Sequence, residues 1–363
     1  MKVLFITRST LLKGFGGDSV QILSTAKYLR KLDVQVDLKL CDEEIDYSPY
    51  DIIHLFNIIR PADLLIHISK CNKPYVVSTI FLDYEDYEKK QRKGPLKLLS
   101  YFFSKDTIEY IKAIGRFIKN GEKLNSLAYL WLGHKKSIAK IANGASLLLP
   151  NSKSEYLRLE QYLGFSTNYQ AINNGIDHHR HMSLEGDHEK EEDLVICAAR
   201  IEGNKNQYNL IKALNNTEFR LKIIGKPAPN HLKYYEACQA IAAPNVSFLG
   251  FIELDELAIQ YQKANVHVLP SFCETCGLSS LEAAFHKCNL VITKGGDTQD
   301  YFEEEAFYCD PEDPQSILDA VRLAAKSAYS KKLNDKVRDS YTWEYAAKQT
   351  LHAYNTVLNE TKS

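Results

Sequence analysis

Short apolar runs alternate along this chain with longer stretches whose apolar residues recur at helical spacing. Lys2–Thr7 (KVLFIT) reads as a buried strand. Asp18–Lys31 then carries apolar residues at 20, 22, 23, 26 and 29, the stripe of an amphipathic helix. Val34–Leu40 alternates as a strand does, and Asp51–Leu55 (DIIHL) is another short apolar run. Pro61 suits the first turn of a helix, where its missing N–H costs nothing. Tyr75–Ser78 and Ala145–Leu149 read as strands. The second half repeats the rhythm, with strands at Leu194–Ala198, Arg220–Ile224, Val246–Leu249, Val266–Leu269 and Leu290–Ile292. Helical stretches near 206–214, 230–242, 253–263, 278–287 and 314–328 separate them. Strands alternating with helices in this way predict parallel sheets covered on both faces.

At 363 residues the chain is long enough for two such sheets. The acidic stretch Ser183–Asp193 (SLEGDHEKEED) reads as a surface loop near their boundary. Ligands of open α/β sheets bind beyond the carboxyl ends of the strands, so a cleft between two facing sheets is the expected site. Tyr341–Glu360 is apolar-periodic and reads as a terminal helix.

Composition removes several classes. Hydrophobic residues make up 45% and charged residues 25%, as in ordinary globular proteins. The N-terminal MKVLFITRST lacks the apolar core and cleavage site of a signal peptide. No run reaches the roughly 18–20 apolar residues of a membrane span. Eight scattered cysteines suggest reduced thiols and a cytoplasmic setting. The net charge of −1 argues against a uniformly basic nucleic-acid binder.

That average conceals segregation. Between Lys89 and Lys140 there are 13 Lys/Arg against Asp106, Glu109 and Glu122, a local charge of about +10. Lys89, Lys90, Arg92, Lys93, Lys112 and Arg116 belong to this set. Apolar residues at 99, 102, 103, 110, 111, 114, 117 and 118 give it helical spacing. Such helices suit an anionic membrane surface or an anionic acceptor. They equally suit a solvated insertion whose apolar stripe packs on its own domain. The compensating acid lies at 183–193 and at 300–313.

The segment richest in chemistry is Val266–Ala284 (VHVLPSFCETCGLSSLEAA), a strand, a loop and a helix start. Backbone N–H groups at a helix start receive anions. Glu274 and Glu282 lie in this segment, and helical side chains lean toward the N-terminus, so both carboxylates can face one pocket. A carboxylate accepts two hydrogen bonds from a vicinal diol, which lets the pair grip a hydroxyl-bearing ligand beside a phosphate.

With these residues in place the chain resembles glycosyltransferase family four, the retaining nucleotide-sugar transferases (glycosyl transferases group 1) of GT-B fold. The resemblance runs over nearly the whole length. It rests on Gly14, Gly16 and Gly17 after the first strand, Asn151 and Ser152 after the last strand of the first half, and Asn174–Asp177 (NGID) at the crossover. It rests further on Arg200 and Lys205 in CAARIEGNKNQ, on the strand ends Ile223–Gly225 and Phe248–Gly250, and on the E-x(7)-E pair Glu274 and Glu282.

The resemblance implies two facing Rossmann-like doubly wound domains with an interdomain cleft. The first, 1–172, would be the acceptor side, with a basic helical insertion at 85–143. The second, 173–342, would bind the nucleotide sugar, and a helix at 343–363 would pack back on the first. It further implies a catalytic set of Arg200 and Lys205, acting on the donor diphosphate, and Glu274, contacting the sugar hydroxyls. Arg binds a diphosphate bidentately and Lys as a point charge, and both stabilise the leaving group. Donor binding would fall to Gly16, Gly17, Asn174, Gly225, Phe251, Ile252, Thr275, Cys276, Gly277, Leu278 and Glu282. Glu282 would hold the ribose, and Phe251 and Ile252 would line the base. The co-substrate would be a nucleoside-diphosphate sugar, with no metal or other cofactor. The acceptor would be a glycan or lipid-linked saccharide of a bacterial surface-polysaccharide or lipopolysaccharide pathway. The enzyme would be cytoplasmic, or peripheral at the inner membrane face.

One departure stands out. Many family members carry a His after the strand read here as PYVVSTIFLDY, and that position falls at Ile80. The His contact to the donor sugar is then missing or supplied by another group, with Asp83 or Tyr84 the nearby candidates. A catalytically degenerate GT-B protein that binds a glycan or a partner is therefore the alternative. A nicotinamide oxidoreductase fits the rhythm but not the glycines, because Ser19 stands where the dinucleotide fingerprint needs Gly. Cys273-x-x-Cys276 lacks a second pair for a structural zinc, and the histidines at 178, 179 and 181 read as loop surface. No Asp-x-Asp occurs, so the metal-dependent site of the other large transferase fold has no support.

Overall fold

The structure, a computed structural model, describes residues 1–12, 16–82, 106–111, 115, 126–186 and 188–360. The candidate residues Gly14, Asp83, Tyr84, Lys89, Lys90, Arg92, Lys93, Lys112 and Arg116 lie outside the described residues. The chain divides into two compact units, one of 1–174 with 343–363 and one of 175–342. Both are α/β units built on a parallel sheet.

The first unit holds β1 (Lys2–Thr7), α1 (Gly17–Arg30), β2 (Gln35–Leu40), β3 (Ile52–Phe56), α2 (Pro61–Lys70), β4 (Tyr75–Ser78), α3 (Leu127–Gly144), β5 (Leu147–Leu149) and α4 (Lys153–Leu163). Its five strands run in the order β2-β1-β3-β4-β5, all parallel. β1 and β3, in the middle, are buried along nearly their whole length, as their unbroken apolar runs require. Pro61 stands at the first turn of α2. Gly133 (φ 71°) kinks α3, and beyond the kink Ile138, Ile141 and Ala142 enter the core. Ser152 caps α4 by accepting from the N–H of Glu155. The terminal helix, which closes the chain, packs in this unit against α1.

The second unit contains α5 (His178–Ser183), β6 (Glu191–Ala198), α6 (Gln207–Leu214), β7 (Arg220–Ile224), α7 (Leu232–Ile241), β8 (Val246–Gly250), α8 (Leu254–Lys263), β9 (Ala264–Leu269), α9 (Leu278–Phe285) and β10 (Asn289–Ile292). Then come α10 (Thr298–Phe302), β11 (Phe307–Tyr308), α11 (Pro314–Ala325) and α12 (Lys331–Asp339), with α13 (Trp343–Glu360) returning to the first unit. Its strand order is β11-β10-β9-β6-β7-β8, again all parallel. The two ends of this unit meet where the N–H of Ile176 donates to Tyr341 O at 2.9 Å. The approach is so close there that a Cβ on Gly175 would lie 2.4 Å from the Thr342 carbonyl carbon.

Two expectations are corrected. The stretch 183–193 is not loop throughout, since β6 begins at Glu191. Arg220 on the neighbouring β7 explains this, pairing with Glu191 at 2.7 Å and Asp193 at 2.6 Å across the strands. The histidines at 178–181 open a short helix, and His181 is buried with its Nδ1 3.1 Å from His286 Nε2. Among the described residues no helix is long and apolar enough to cross a membrane, and no group of three or more His, Cys, Asp and Glu could hold a metal ion.

Candidate active site

In the second unit every strand runs the same way, so all carboxyl ends lie along one edge of the sheet. Beyond β6 the chain Ala199–Ile201 stays in register with the residues after β7. The Ile201 N–H donates to Lys226 O at 2.9 Å, and the Ala228 N–H to Ile201 O at 3.0 Å. Gly225 makes this contact possible. It has φ 143°, and a Cβ there would fall 2.0 Å from Ala199 O.

Lys205 closes the single turn Gly203–Lys205, and Asn206 follows at φ 58°, a conformation asparagine tolerates. Asparagine side chains sew this turn to the loop after β9. Asn204 Nδ2 donates to Cys273 O at 2.9 Å while its Oδ1 accepts from the Cys273 N–H at 3.2 Å. Asn206 Nδ2 donates to Pro270 O at 3.1 Å and to Pro311 O at 2.6 Å. The result is a direct ion pair between Lys205 Nζ and Glu274 Oε2, with side-chain exposures of only 16% and 12%. Ser271 Oγ donates to the same oxygen at 3.1 Å. A pair so withdrawn from water is held by its geometry, and removing either partner leaves the other's charge uncompensated.

The other flank of Glu274 is fixed by backbone. Its N–H donates to Gly295 O at 3.1 Å, and its carbonyl accepts from the Asp297 N–H at 2.9 Å. Gly277 (φ 63°, ψ 77°) turns the chain into α9, where a Cβ would crowd Ser280, Leu269 and Glu274. Thr275 and Leu278 are half-buried and Cys276 fully buried in this turn. One helical turn on, Glu282 accepts from the Tyr261 hydroxyl at 3.2 Å. Glu282 keeps some surface, yet burial pushes its carboxyl up to about 7, against the smaller opposing pull of that hydrogen bond.

The fold therefore brings Lys205, Glu274 and Gly277 into one constellation, with Glu282 on the helix it opens. Arg200 lies nearby in sequence but is half exposed, its Nη2 donating to Glu202 Oε1 at 3.2 Å. Phe251, 56% exposed, lies under the Lys226 ammonium at 4.7 Å from the ring centroid, and Ile252 is half-buried beside it. Gly16, Gly17 and Asn174 belong to the first unit. There Gly16 is extended, and nothing lies within 4 Å of a Cβ placed on Gly17, so the protein itself does not demand glycine at position 17. Ile80 has φ 47°. Sequence reasoning missed Asn204, Ser271 and Tyr261. The signal for Asn204 was the asparagine pair flanking Lys205, a turn signature. Tyr261 gave none, because helical periodicity marks it only as core.

Residues 183–340 match the family model described as glycosyl transferases group 1. The stretch includes Arg200, Lys205, Glu274 and Glu282. The chain is 25% identical over 179 residues to an uncharacterised glycosyltransferase of Methanocaldococcus jannaschii, and spans 46% of that relative's length. Among solved structures, it is similar to sucrose-phosphate synthase from Thermosynechococcus elongatus (TM-score 0.74, 15% identity, 99% of this chain and 100% of that one). It is also similar to an Anabaena protein, HepE, solved in complex with UDP and glucose (TM-score 0.59, 16% identity, 100% and 98%). A glycosyltransferase from Rickettsia africae aligns with a TM-score of 0.67 at 11% identity over 98% of both chains. The fold is that of the GT-B glycosyltransferases.

Proposed function

We propose that the protein is a retaining glycosyltransferase of family four, moving a hexose from a nucleoside-diphosphate sugar to a glycan or lipid-linked acceptor. The observation that carries this reading is the Lys205–Glu274 pair, with Glu282 on the helix opened by the same loop, inside the stretch that matches the transferase family. The UDP and glucose bound by the Anabaena protein favour a UDP-sugar donor.

In this reading Lys205 and the half-exposed Arg200 guanidinium neutralise the diphosphate. As the anomeric C–O bond breaks, the electron pair stays on the departing β-phosphate oxygen, and both cations stabilise it. The acceptor hydroxyl attacks on the same face, and its proton passes to that phosphate oxygen, so configuration is retained. Glu274, held by Ser271 and Lys205, contacts the sugar hydroxyls, and Glu282 accepts from the ribose diol. The backbone N–H groups of Thr275–Leu278 meet phosphate or sugar, and Gly225 belongs to the same donor-binding set. Gly16, Gly17 and Asn174 are further donor-binding candidates in this reading, and Phe251 and Ile252 would line the base. No metal is required, since the charge is met by side chains.

The acceptor belongs to surface-polysaccharide or lipopolysaccharide synthesis in this proposal, and the basic 85–143 segment would meet it or an anionic membrane. Within its described part, Trp131 is 91% exposed and Lys135, Lys136 and Lys140 are exposed on α3, a combination suited to an anionic interface.

A thermal-shift panel of nucleoside diphosphates and their sugars on the full chain, followed by a transfer assay, tests the reading. The expected result is a raised melting temperature with one base series and transfer that collapses in Lys205→Ala and Glu282→Ala. Variants that bind and turn over sugar nucleotides as well as the parent would overturn the site. Binding without turnover of any donor would favour the degenerate alternative.

A further inference from the structure

Tyr261 lies near the end of α8 and is fully buried. Its hydroxyl donates the single side-chain hydrogen bond that Glu282 receives among the described residues. Four contacts hold the rest of the residue. Its carbonyl accepts from Lys190 Nζ at 2.9 Å and from Cys288 Sγ at 3.0 Å. Its ring lies parallel to His286, centroids 6.1 Å apart with 13° between planes, and meets His267 edge-on at 5.9 Å. Lys190 in turn donates to Ala264 O at 2.7 Å and His286 O at 2.9 Å, so one ammonium ties together the ends of α8 and α9. A phenol fixed at both its backbone and its ring has little freedom in where it delivers its proton.

We infer that Tyr261 is a positioning residue for the donor, fixing one oxygen of Glu282 so that the other faces the ribose hydroxyls. The inference rests on the proposed ribose role of Glu282 and deepens it. The bond from Tyr261 goes to Oε2, which leaves Oε1 as the acceptor for a diol. A half-buried carboxylate with one donor is under-satisfied and gains when a ligand supplies more. Without the tyrosine proton the carboxylate loses both its orientation and part of its preference for the charged form. Ribose recognition then weakens, while contacts to the diphosphate, made from Lys205 and Arg200, remain.

The test compares ribose and deoxyribose ligands on the full chain. Calorimetric titrations use uridine, adenosine and guanosine diphosphates, then the 2′,3′-dideoxy counterpart of the tightest. The parent is expected to prefer the ribose form by at least about tenfold, roughly 1.4 kcal/mol. Tyr261→Phe should lose most of that preference while binding the dideoxy ligand as the parent does. Glu282→Gln should lose it too, and the double variant should be no worse than Glu282→Gln alone. A purely structural role would weaken both ligands equally. Tyr261→Met, a second apolar replacement without a hydroxyl, carries the test if the Phe variant does not fold. If Glu282→Gln loses the preference and Tyr261→Phe keeps it, the inference about Tyr261 fails alone. If the parent shows no ribose preference, the ribose role of Glu282 fails and this inference with it.

Discussion

The hydroxyl of Tyr354 lies 2.6 Å from Nδ1 of His54, joining the terminal helix α13 to the middle strand β3 across 300 residues of sequence. The other ring nitrogen, Nε2, is 2.8 Å from Ser78 Oγ on β4. A neutral imidazole donates from only one nitrogen, so one of the two hydroxyls accepts from that N–H and the other donates to the bare ring nitrogen. All three groups are buried. Burial alone holds the His54 ring down to about 3, so it stays neutral and the chain Tyr354–His54–Ser78 is fully satisfied.

Tyr354→Phe keeps the ring and removes the proton, leaving a buried nitrogen without a partner. The expected cost is about 1–3 kcal/mol. Urea unfolding at pH 7 checks it. A loss under about 0.5 kcal/mol, the scatter of surface substitutions, would mean that the bond does not anchor the helix.

Five of the buried histidines set the acid limit of the fold. Burial holds His54, His267 and His286 down to about 3, and His67 and His181 to about 4. All five are neutral in the folded chain, whereas the unfolded chain protonates them near pH 6.5. Below that pH the unfolded state binds more protons, so stability is complete above about 6.5 and falls with the pH toward 4. Each histidine contributes about 2 kcal/mol of loss by pH 5, comparable in sum with a whole domain's stability of roughly 5–15 kcal/mol. Glu282, raised to about 7, acts in the opposite direction but is one group against five. Melting temperature should therefore drop steeply between pH 7 and 5. His267 has no partner for either ring nitrogen among the described residues, so His267→Leu should stabilise the protein and flatten the pH dependence. A melting temperature unchanged from pH 7 to 5 would contradict this account.

The Lys205–Glu274 pair separates charge from packing. Lys205→Met keeps the stem and removes the ammonium, so Glu274 keeps only Ser271 as a side-chain donor. On the proposed role, kcat/KM for a nucleotide sugar should fall at least about a hundredfold, since the charge acts on the leaving phosphate. Lys205→Arg should recover only part of this, because a planar fork does not fit the place of a point charge against Glu274. Rates within threefold of the parent for Lys205→Met would remove Lys205 from the chemistry.

Much of this architecture could be read from the chain because its strands are buried on both faces. KVLFIT and YVVS were found with their boundaries intact, since a parallel strand must be apolar without interruption. The failures have physical causes. β6 begins inside an acidic run because Arg220 neutralises it from the next strand, a contact no local pattern shows. α12 (KKLNDKVRD) buries only Leu333, Asn334 and Val337, too few positions for the eye to find. At the site, Glu274 and Glu282 stand out through the strand–loop–helix segment that holds them, more than through their spacing. Tyr261 does not, because a tyrosine that supports a carboxylate and one that fills a core carry the same helical period.

Two glycines should respond in opposite ways to the same added methyl group. At Gly296 (φ 90°) a Cβ would sit 1.9 Å from the carbonyl oxygen of Glu274, and that carbonyl also receives the Asp297 N–H. Gly296→Ala must push the Glu274 loop away, combining a left-handed backbone with a steric clash, so a loss above about 3 kcal/mol is expected together with loss of transfer. At Gly17 nothing lies within 4 Å of the added carbon, and the residue opens helix α1. Gly17→Ala should leave stability unchanged or raise it by up to about 1 kcal/mol, since alanine loses less backbone entropy on folding. If a ligand's phosphate or hydroxyl approaches this backbone as proposed, transfer will nonetheless fall. Stability retained with activity lost would show that the glycine serves a ligand and not the fold. Activity retained in a well-folded Gly17→Ala would remove Gly17 from the donor site and leave the second unit to bind it.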